Sequence, residues 1–251
     1  MLIEAEKARA FAELHVPGKP LVLFNIWDPG SAKAVAEAGA PALATGSWSV
    51  AAANGFGDGQ AIPLDLALAN FERIVAAVDL PVTLDFEGGY GATPDAVAAN
   101  AARAAEAGAV GFNFEDQLVG GEGLYAASEQ ARRIAAMKGA APHAFVNART
   151  DIFLKAPAVE HDEAKLADAI ERARAYADTG ASGFFAPGLV DEGLIARLCE
   201  ASPLPVNIMM FPGVPETPRL AQLGVARVSY GPGPYRLAMK TVEDAARAIY
   251  G

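Results

Sequence analysis

The chain lacks several residue patterns that mark common functions. Its single cysteine, Cys199, cannot close an internal disulfide, and its three histidines, His15, His143 and His161, form no cluster with zinc spacing. That cysteine usage leads us to expect a reducing, cytoplasmic setting. No apolar run reaches the roughly 18 residues that a membrane span needs, so no membrane partner is expected. The opening residues Leu2-Ile3-Glu4-Ala5-Glu6-Lys7 are charged and helix-forming, unlike the basic-then-apolar layout of a signal peptide. Lysine- or arginine-dense runs are missing too. With 20 basic against 30 acidic residues the net charge is −10, a sign that repels nucleic acid and anionic lipid. A small anionic ligand is not excluded, because it responds to the local field of a cleft.

What is present is a large stock of core material. Of 251 residues, 52% are apolar and 20% charged, which sets disorder aside. One pattern recurs along the chain, in which a helical stretch ends in glycine and a short apolar run follows. It occurs at Glu37-Ala38-Gly39 before Ala42-Leu43-Ala44, and at Glu106-Ala107-Gly108 before Val110-Gly111-Phe112. Asp178-Thr179-Gly180 before Gly183-Phe184-Phe185 and Gln222-Leu223-Gly224 before Val225-Ala226-Arg227-Val228 repeat it. Glycine takes the left-handed cap conformation beyond a helix at little cost, and the run after it reads as a buried parallel strand. Four further strands begin just after proline, at Pro20, Pro81, Pro142 and Pro205.

The spacing predicts eight strands, near 21–25, 41–45, 81–85, 109–114, 143–147, 181–186, 205–208 and 225–229. Alanine-rich helices separate them, and an extra helix near 3–14 precedes them. No linker-like stretch divides the chain, so residues 1–251 are expected to form one (β/α)₈ barrel domain. A doubly wound open sheet is the structural rival, but no Gly-x-Gly-x-x-Gly follows the first strand.

In such a barrel the chemistry sits at the C-terminal strand ends, and the polar residues gather there. Asp85 and Glu87 are two apart, so they point to one side of an extended strand, and Glu115 ends the next strand. Three carboxylates without a nearby lysine repel one another unless a cation or protons compensate; hard oxygen ligands suit Mg²⁺, with Mn²⁺ as substitute. The competing reading has these acids cap helices or pair with arginines. Asp116 should turn toward the helix layer. Gly88-Gly89-Tyr90-Gly91 either curls over a ligand or makes a tight turn. Thr45-Gly46-Ser47 offers backbone N–H groups as a carboxylate cradle. Arg149 is a fork for a carboxylate or phosphate, or else a structural partner of Asp151. Trp27 and Asn207 lie at the same rim and complete the expected substrate contacts.

These residues, in this order, resemble the isocitrate lyase/phosphoenolpyruvate mutase superfamily over nearly the whole chain. Asp85-Phe86-Glu87-Gly88-Gly89-Tyr90-Gly91 looks like its Asp-x-Asp-x-Gly-Tyr-Gly motif, with Glu87 for the second aspartate. Phe114-Glu115-Asp116-Gln117 is similar to its Ile-Glu-Asp-Gln/Lys segment, and Ala148-Arg149-Thr150-Asp151 to its Ala-Arg-Thr-Asp segment. Thr45-Gly46-Ser47 ahead of Asp58 fits its Ser-Gly-Gly…Pro-Asp stretch. The resemblance implies Mg²⁺ held by Asp85 and, largely through water, by Asp58, Glu87 and Glu115. It implies a keto or enol acid whose carboxylate meets the Gly46 and Ser47 amides, with Arg149 on a substrate oxygen. It also implies a homo-oligomer, dimer or tetramer, that exchanges the last helix, residues 235–250.

One segment departs from the family. Its lyases carry a Lys-Arg-Cys-Gly-His loop where this chain reads Leu118-Val119-Gly120-Gly121-Glu122-Gly123-Leu124-Tyr125, with neither lysine nor cysteine. The expectation is a Mg²⁺-dependent lyase that cleaves a C–C bond of a small 2-keto acid, by decarboxylation or retro-aldol chemistry. Tyr90, Tyr125 or Tyr230 would supply the proton. A phosphonopyruvate-type mutase or hydrolase and a non-catalytic keto-acid-binding protein are the rival readings.

Overall fold

The computed structural model describes residues 2–251. After the helix α1 (Leu2–Glu13), eight strands alternate with helices: β1 (Leu21–Leu23), α2 (Pro29–Glu37), β2 (Leu43–Ala44), α3 (Ser47–Ala53), α4 (Leu64–Ala77), β3 (Val82–Asp85), α5 (Pro94–Glu106), β4 (Gly111–Glu115) and α6 (Ala127–Ala140). They continue with β5 (Phe145–Arg149), α7 (Glu163–Ala177), β6 (Gly183–Phe185), α8 (Glu192–Ala201), β7 (Val206–Met209), α9 (Thr217–Gln222), β8 (Arg227–Ser229) and α10 (Gly233–Tyr250).

Each of the eight expected strands is found, and every pairing is parallel in the order β1-β8-β7-β6-β5-β4-β3-β2. Between β1 and β2 the ladder shrinks to one bridge, Ile26 to Thr45. There the Ile26 N–H donates to the Ala44 carbonyl and the Gly46 N–H to the Ile26 carbonyl. The barrel is therefore closed, which rules out the open-sheet rival. The glycine pattern has the conformation expected of it: Gly39, Gly108, Gly180 and Gly224 lie at φ between 90° and 98°. The sequence pattern missed α3, which starts directly at the end of the second strand.

Two cores hold the barrel. Between strands and helices, a large cluster joins residues such as Phe71, Ile74, Phe112, Val146, Phe184 and Ile208. A second, inside the barrel at its N-terminal end, packs Phe11 and Ala8 of α1 against Leu21, Leu23, Ala44 and Phe145. The helix α1 thus closes the floor and leaves the opposite mouth for chemistry. By contrast α10 buries only Pro234, and Val242 and Ile249 on it are 61% and 79% exposed. Among the described residues no helix is long and apolar enough to cross a membrane.

A buried polar clamp ties the mouth to the helix layer. Asp116 turns outward, as alternation from Glu115 requires. Its Oδ2 accepts from Arg172 Nη1 at 3.0 Å and from the Tyr176 hydroxyl at 2.9 Å, and its Oδ1 accepts from the Asp151 N–H. Replacing Asp116 with alanine takes the acceptor from the Tyr176 hydroxyl and the Asp151 N–H and leaves Arg172 only the half-exposed Asp168 as counter-charge, at an expected cost of about 1–3 kcal/mol for each buried group left without its partner. A urea titration should show the unfolding midpoint falling accordingly. An unchanged midpoint would contradict the clamp.

Candidate active site

The barrel mouth opens on a cavity of about 540 Å³, and acids line one side of it: Asp58, Asp85, Glu87 and Glu115. Strand register brings them there. Asp85 lies beside Asn113 across β3 and β4, and Glu115 lies beside Arg149 across β4 and β5. Asp85 Oδ2 accepts from the Ser47 N–H at 2.9 Å and the Ser47 hydroxyl at 2.7 Å, while its Oδ1 is buried with no hydrogen-bond partner. Glu87 Oε2 accepts from the Gln60 N–H at 2.6 Å. Glu115 Oε2 pairs with Arg149 Nη1 at 2.8 Å, and its other oxygen accepts from Gln117.

Arg149 is the cation set deepest in this lining. Its Nε and Nη2 donate to the two Asp151 oxygens at 2.6 and 3.0 Å. Arg149 thus pairs with Asp151 and also lines the cavity. Of the five N–H donors of a guanidinium, three are engaged and two remain for a ligand.

Burial, with mutual repulsion added to it, raises the proton affinity of these acids. Burial, reinforced by the Asp85 and Glu115 carboxylates, pushes Glu87 up to about 8. Burial likewise raises Glu115 to about 7, although Arg149 pulls the other way. Asp58 is raised by partial burial and by Asp85, against the Gly59 N–H. The backbone is strained at the same place. The three non-glycine residues with left-handed φ among those described are Gln60 (61°), Glu87 (47°) and Tyr90 (53°), all on the segments that hold Glu87.

Several expected contacts fall elsewhere. The Gly46 and Ser47 amides are not a free cradle, because Gly46 donates to Ile26 in barrel closure and Ser47 holds Asp85 itself. Thr45 is buried, with its hydroxyl accepting from the Asp85 N–H. The Trp27 ring meets Tyr235 edge-on at 5.1 Å, and the indole lining the cavity is that of Trp48. Asn207 is buried and bonded to Ser229. The Tyr125 ring covers the Arg133 guanidinium at 4.1 Å. Tyr90 sits behind Asp85 and Glu87 on a separate void of about 20 Å³.

The glycine loop is a tight turn. Arg133 Nη2 ties down its Gly88 and Gly91 carbonyls, and a Cβ on Gly91 would meet the Ala96 Cβ at 2.7 Å. Asn25, Asn113, Gln117, Tyr230 and Arg236 line the cavity together with Phe185 and Met209. Alternation on the strands could have found Asn113, which is two residues from Glu115.

Comparison with known proteins follows the same lines. The model of the phosphoenolpyruvate phosphomutase family matches residues 11–250. The chain belongs to that family. An uncharacterized protein of Mycobacterium tuberculosis is 36% identical over 96% of this chain and 88% of its own length. The 2-methylisocitrate lyase of Escherichia coli is 29% identical over 94% of this chain and 85% of its own. A Burkholderia cenocepacia structure, provisionally called a phosphonomutase, superposes with TM-score 0.95 at 51% identity, covering 98% of this chain and 99% of that one. The family membership matches the resemblance read from the motifs.

As the side chains stand, no three acidic, histidine or cysteine groups among the described residues converge on a metal position. The set nonetheless fits a hydrated hard cation. One buried carboxylate oxygen, Asp85 Oδ1, has no partner, and three more acids line the same cavity, a donor set of hard oxygens.

The protonation pattern predicts how stability varies with pH. A carboxyl that keeps its proton up to about 8 when folded, against 4.5 ordinarily, binds more protons folded than unfolded. Metal-free protein should therefore lose stability as pH rises from about 5 to above 8. Denaturant midpoints at pH 6 and pH 9 check this, and Glu87→Gln should flatten the difference. A midpoint that rises over that interval would overturn it.

Proposed function

We propose that the chain is a Mg²⁺-dependent lyase that cleaves a C–C bond in a small 2-keto or enol acid, with Mn²⁺ able to replace Mg²⁺. The observation that supports this most directly is the partnerless Asp85 Oδ1, which shares a cavity with Arg149. Asp85, with Asp58, Glu87 and Glu115 in the same lining, would hold the cation, which would supply Lewis acidity to the oxygens of a keto acid.

The chain's own residues do the rest. The two free N–H groups of Arg149 orient a substrate carboxylate or carbonyl oxygen, and Asp151 and Glu115 hold that guanidinium in place beforehand. Trp48, Phe185 and Met209 give the cavity an apolar side that limits water. With no lysine or cysteine in 118–125, the proton donor comes from elsewhere, and Tyr230 is the tyrosine in the lining. The relationship to 2-methylisocitrate lyase supports the lyase class.

A panel of 2-keto and 2-hydroxy acids, followed by release of a keto-acid product, tests this reading. Activity should require Mg²⁺, vanish with EDTA and fall about a hundredfold or more in Asp85→Ala. Full activity in EDTA would sink it. The phosphonomutase reading has one specific support, the 51% identity to the Burkholderia structure. Conversion of phosphonopyruvate to phosphoenolpyruvate would mark a mutase, and phosphate release from it a hydrolase.

The same reading includes assembly. The exposed apolar side chains of α10, among them Leu237, Val242 and Ile249, suit coverage by a neighbouring copy that exchanges this helix. Light scattering should give two or four times the 25.9 kDa chain mass. Val242→Glu with Ile249→Glu should move the particle toward monomer, whereas a wild-type monomer would refute this part.

A further inference from the structure

Below the acids lies a cation that the proposed chemistry does not use. Arg227 on β8 is 1% exposed inside the barrel, and its Nε and Nη1 are buried with no hydrogen-bond partner. Two unpaired donor nitrogens on a buried guanidinium are costly, so a reason for keeping it is needed. Burial lowers its proton affinity, with Asp85 the acid that counters the effect.

The one side-chain hydrogen bond that Arg227 makes among the described residues is informative. Its Nη2 donates to Asn113 Oδ1 at 3.1 Å, and the same oxygen accepts from Asn147 Nδ2 at 2.9 Å. A guanidinium can only donate, so the atom of Asn113 facing Arg227 must be its oxygen. The opposite amide orientation would set N–H against N–H. Asn113 also lines the cavity between Asp85 and Glu115, and among the described residues its Nδ2 bonds to no protein group and is not buried away from the cavity.

We infer that Asn113 is a substrate-binding residue that donates from Nδ2 to an oxygen of the bound acid, and that Arg227 is a positioning residue that holds this amide in its donating orientation. The inference rests on the keto-acid reading of the site and deepens it. It gives the acid side of the cavity a neutral hydrogen-bond donor for an anionic oxygen, between two carboxylates that would otherwise repel it. A side chain that accepted there would exclude such a ligand. The orientation is set before binding, so the donor need not reorganise when charge develops on that oxygen.

Calorimetric titration of oxalate, a planar dianion shaped like the head of an enolised keto acid, with MgCl₂ saturating, tests this without turnover. Asn113→Ala, and Asn113→Leu as a variant of matched volume, should weaken oxalate about tenfold to a hundredfold. Arg227→Met should weaken it severalfold, and Arg227→Lys should restore much of the loss. In the Asn113→Ala background, Arg227→Met should add nothing, because the amide through which it acts is gone. Mg²⁺ binding alone should be unchanged in the Asn113 variants.

Wild-type oxalate affinity in both Asn113 variants would overturn the inference while leaving the keto-acid reading intact. So would an equal loss from Arg227→Met with and without Asn113, which would make its effect a direct one on Asp85. A wild-type chain that binds no oxalate in Mg²⁺ would overturn both.

Discussion

Carboxylates crowded at one barrel mouth set the terms for the rest of the structure. Like charges in a partly dry cavity raise one another's proton affinity, and the chain answers with a separate holder for three of the four acids. Ser47 takes one oxygen of Asp85, the Gln60 N–H takes Glu87, and Arg149 takes Glu115. Holding Glu87 requires left-handed backbone at Gln60, Glu87 and Tyr90. Such strain persists only where surrounding contacts enforce it. Arg133 and Asn100 provide that here, by fixing the carbonyls of the Gly88–Gly91 turn. The arrangement leaves one oxygen, Asp85 Oδ1, with no internal solution.

Much of this could be read from the sequence because it depends on local rules. Gly39, Gly108, Gly180 and Gly224 marked helix ends through a conformation that favours glycine, and each proved left-handed. Period-two alternation placed Asp85 and Glu115 inside and Asp116 outside. Asp58, beyond regular structure, came only from the family resemblance. The helix α3 stayed hidden because it is short, uncapped by any side chain and begins where the strand stops. The Gly46 and Ser47 amides at its start are taken by the Ile26 carbonyl and the Asp85 carboxylate.

Other sites could not be read because they depend on packing between strands distant in sequence. Val225-Ala226-Arg227-Val228 looked like an apolar run, yet Arg227 meets Asn113, 114 residues away, inside the barrel. Trp27 and Trp48 flank the same rim, and only the path of α3 decides that Trp48 faces the cavity. Tyr125 seemed close to the chemistry because it ends the rewritten loop. The buried Arg133 needs an aromatic cover, and the ring is used there instead.

The end of β4 shows how support and chemistry are joined. Glu115 points inward to Arg149, and Asp116, the next residue, points outward to Arg172 and Tyr176. Through its second oxygen Asp116 also fixes the Asp151 N–H, and the Asp151 side chain grips Arg149 from the other side. The outward acid therefore sets the position of the residue that orients the inward arginine. A guanidinium held in this way loses little freedom when it meets a ligand, so its remaining donors act from a fixed geometry. The rewritten 118–125 loop lies outside this chain of contacts, apart from Tyr125 at its edge. The loop can vary without disturbing the arginine, and a change at Asp116 would move it.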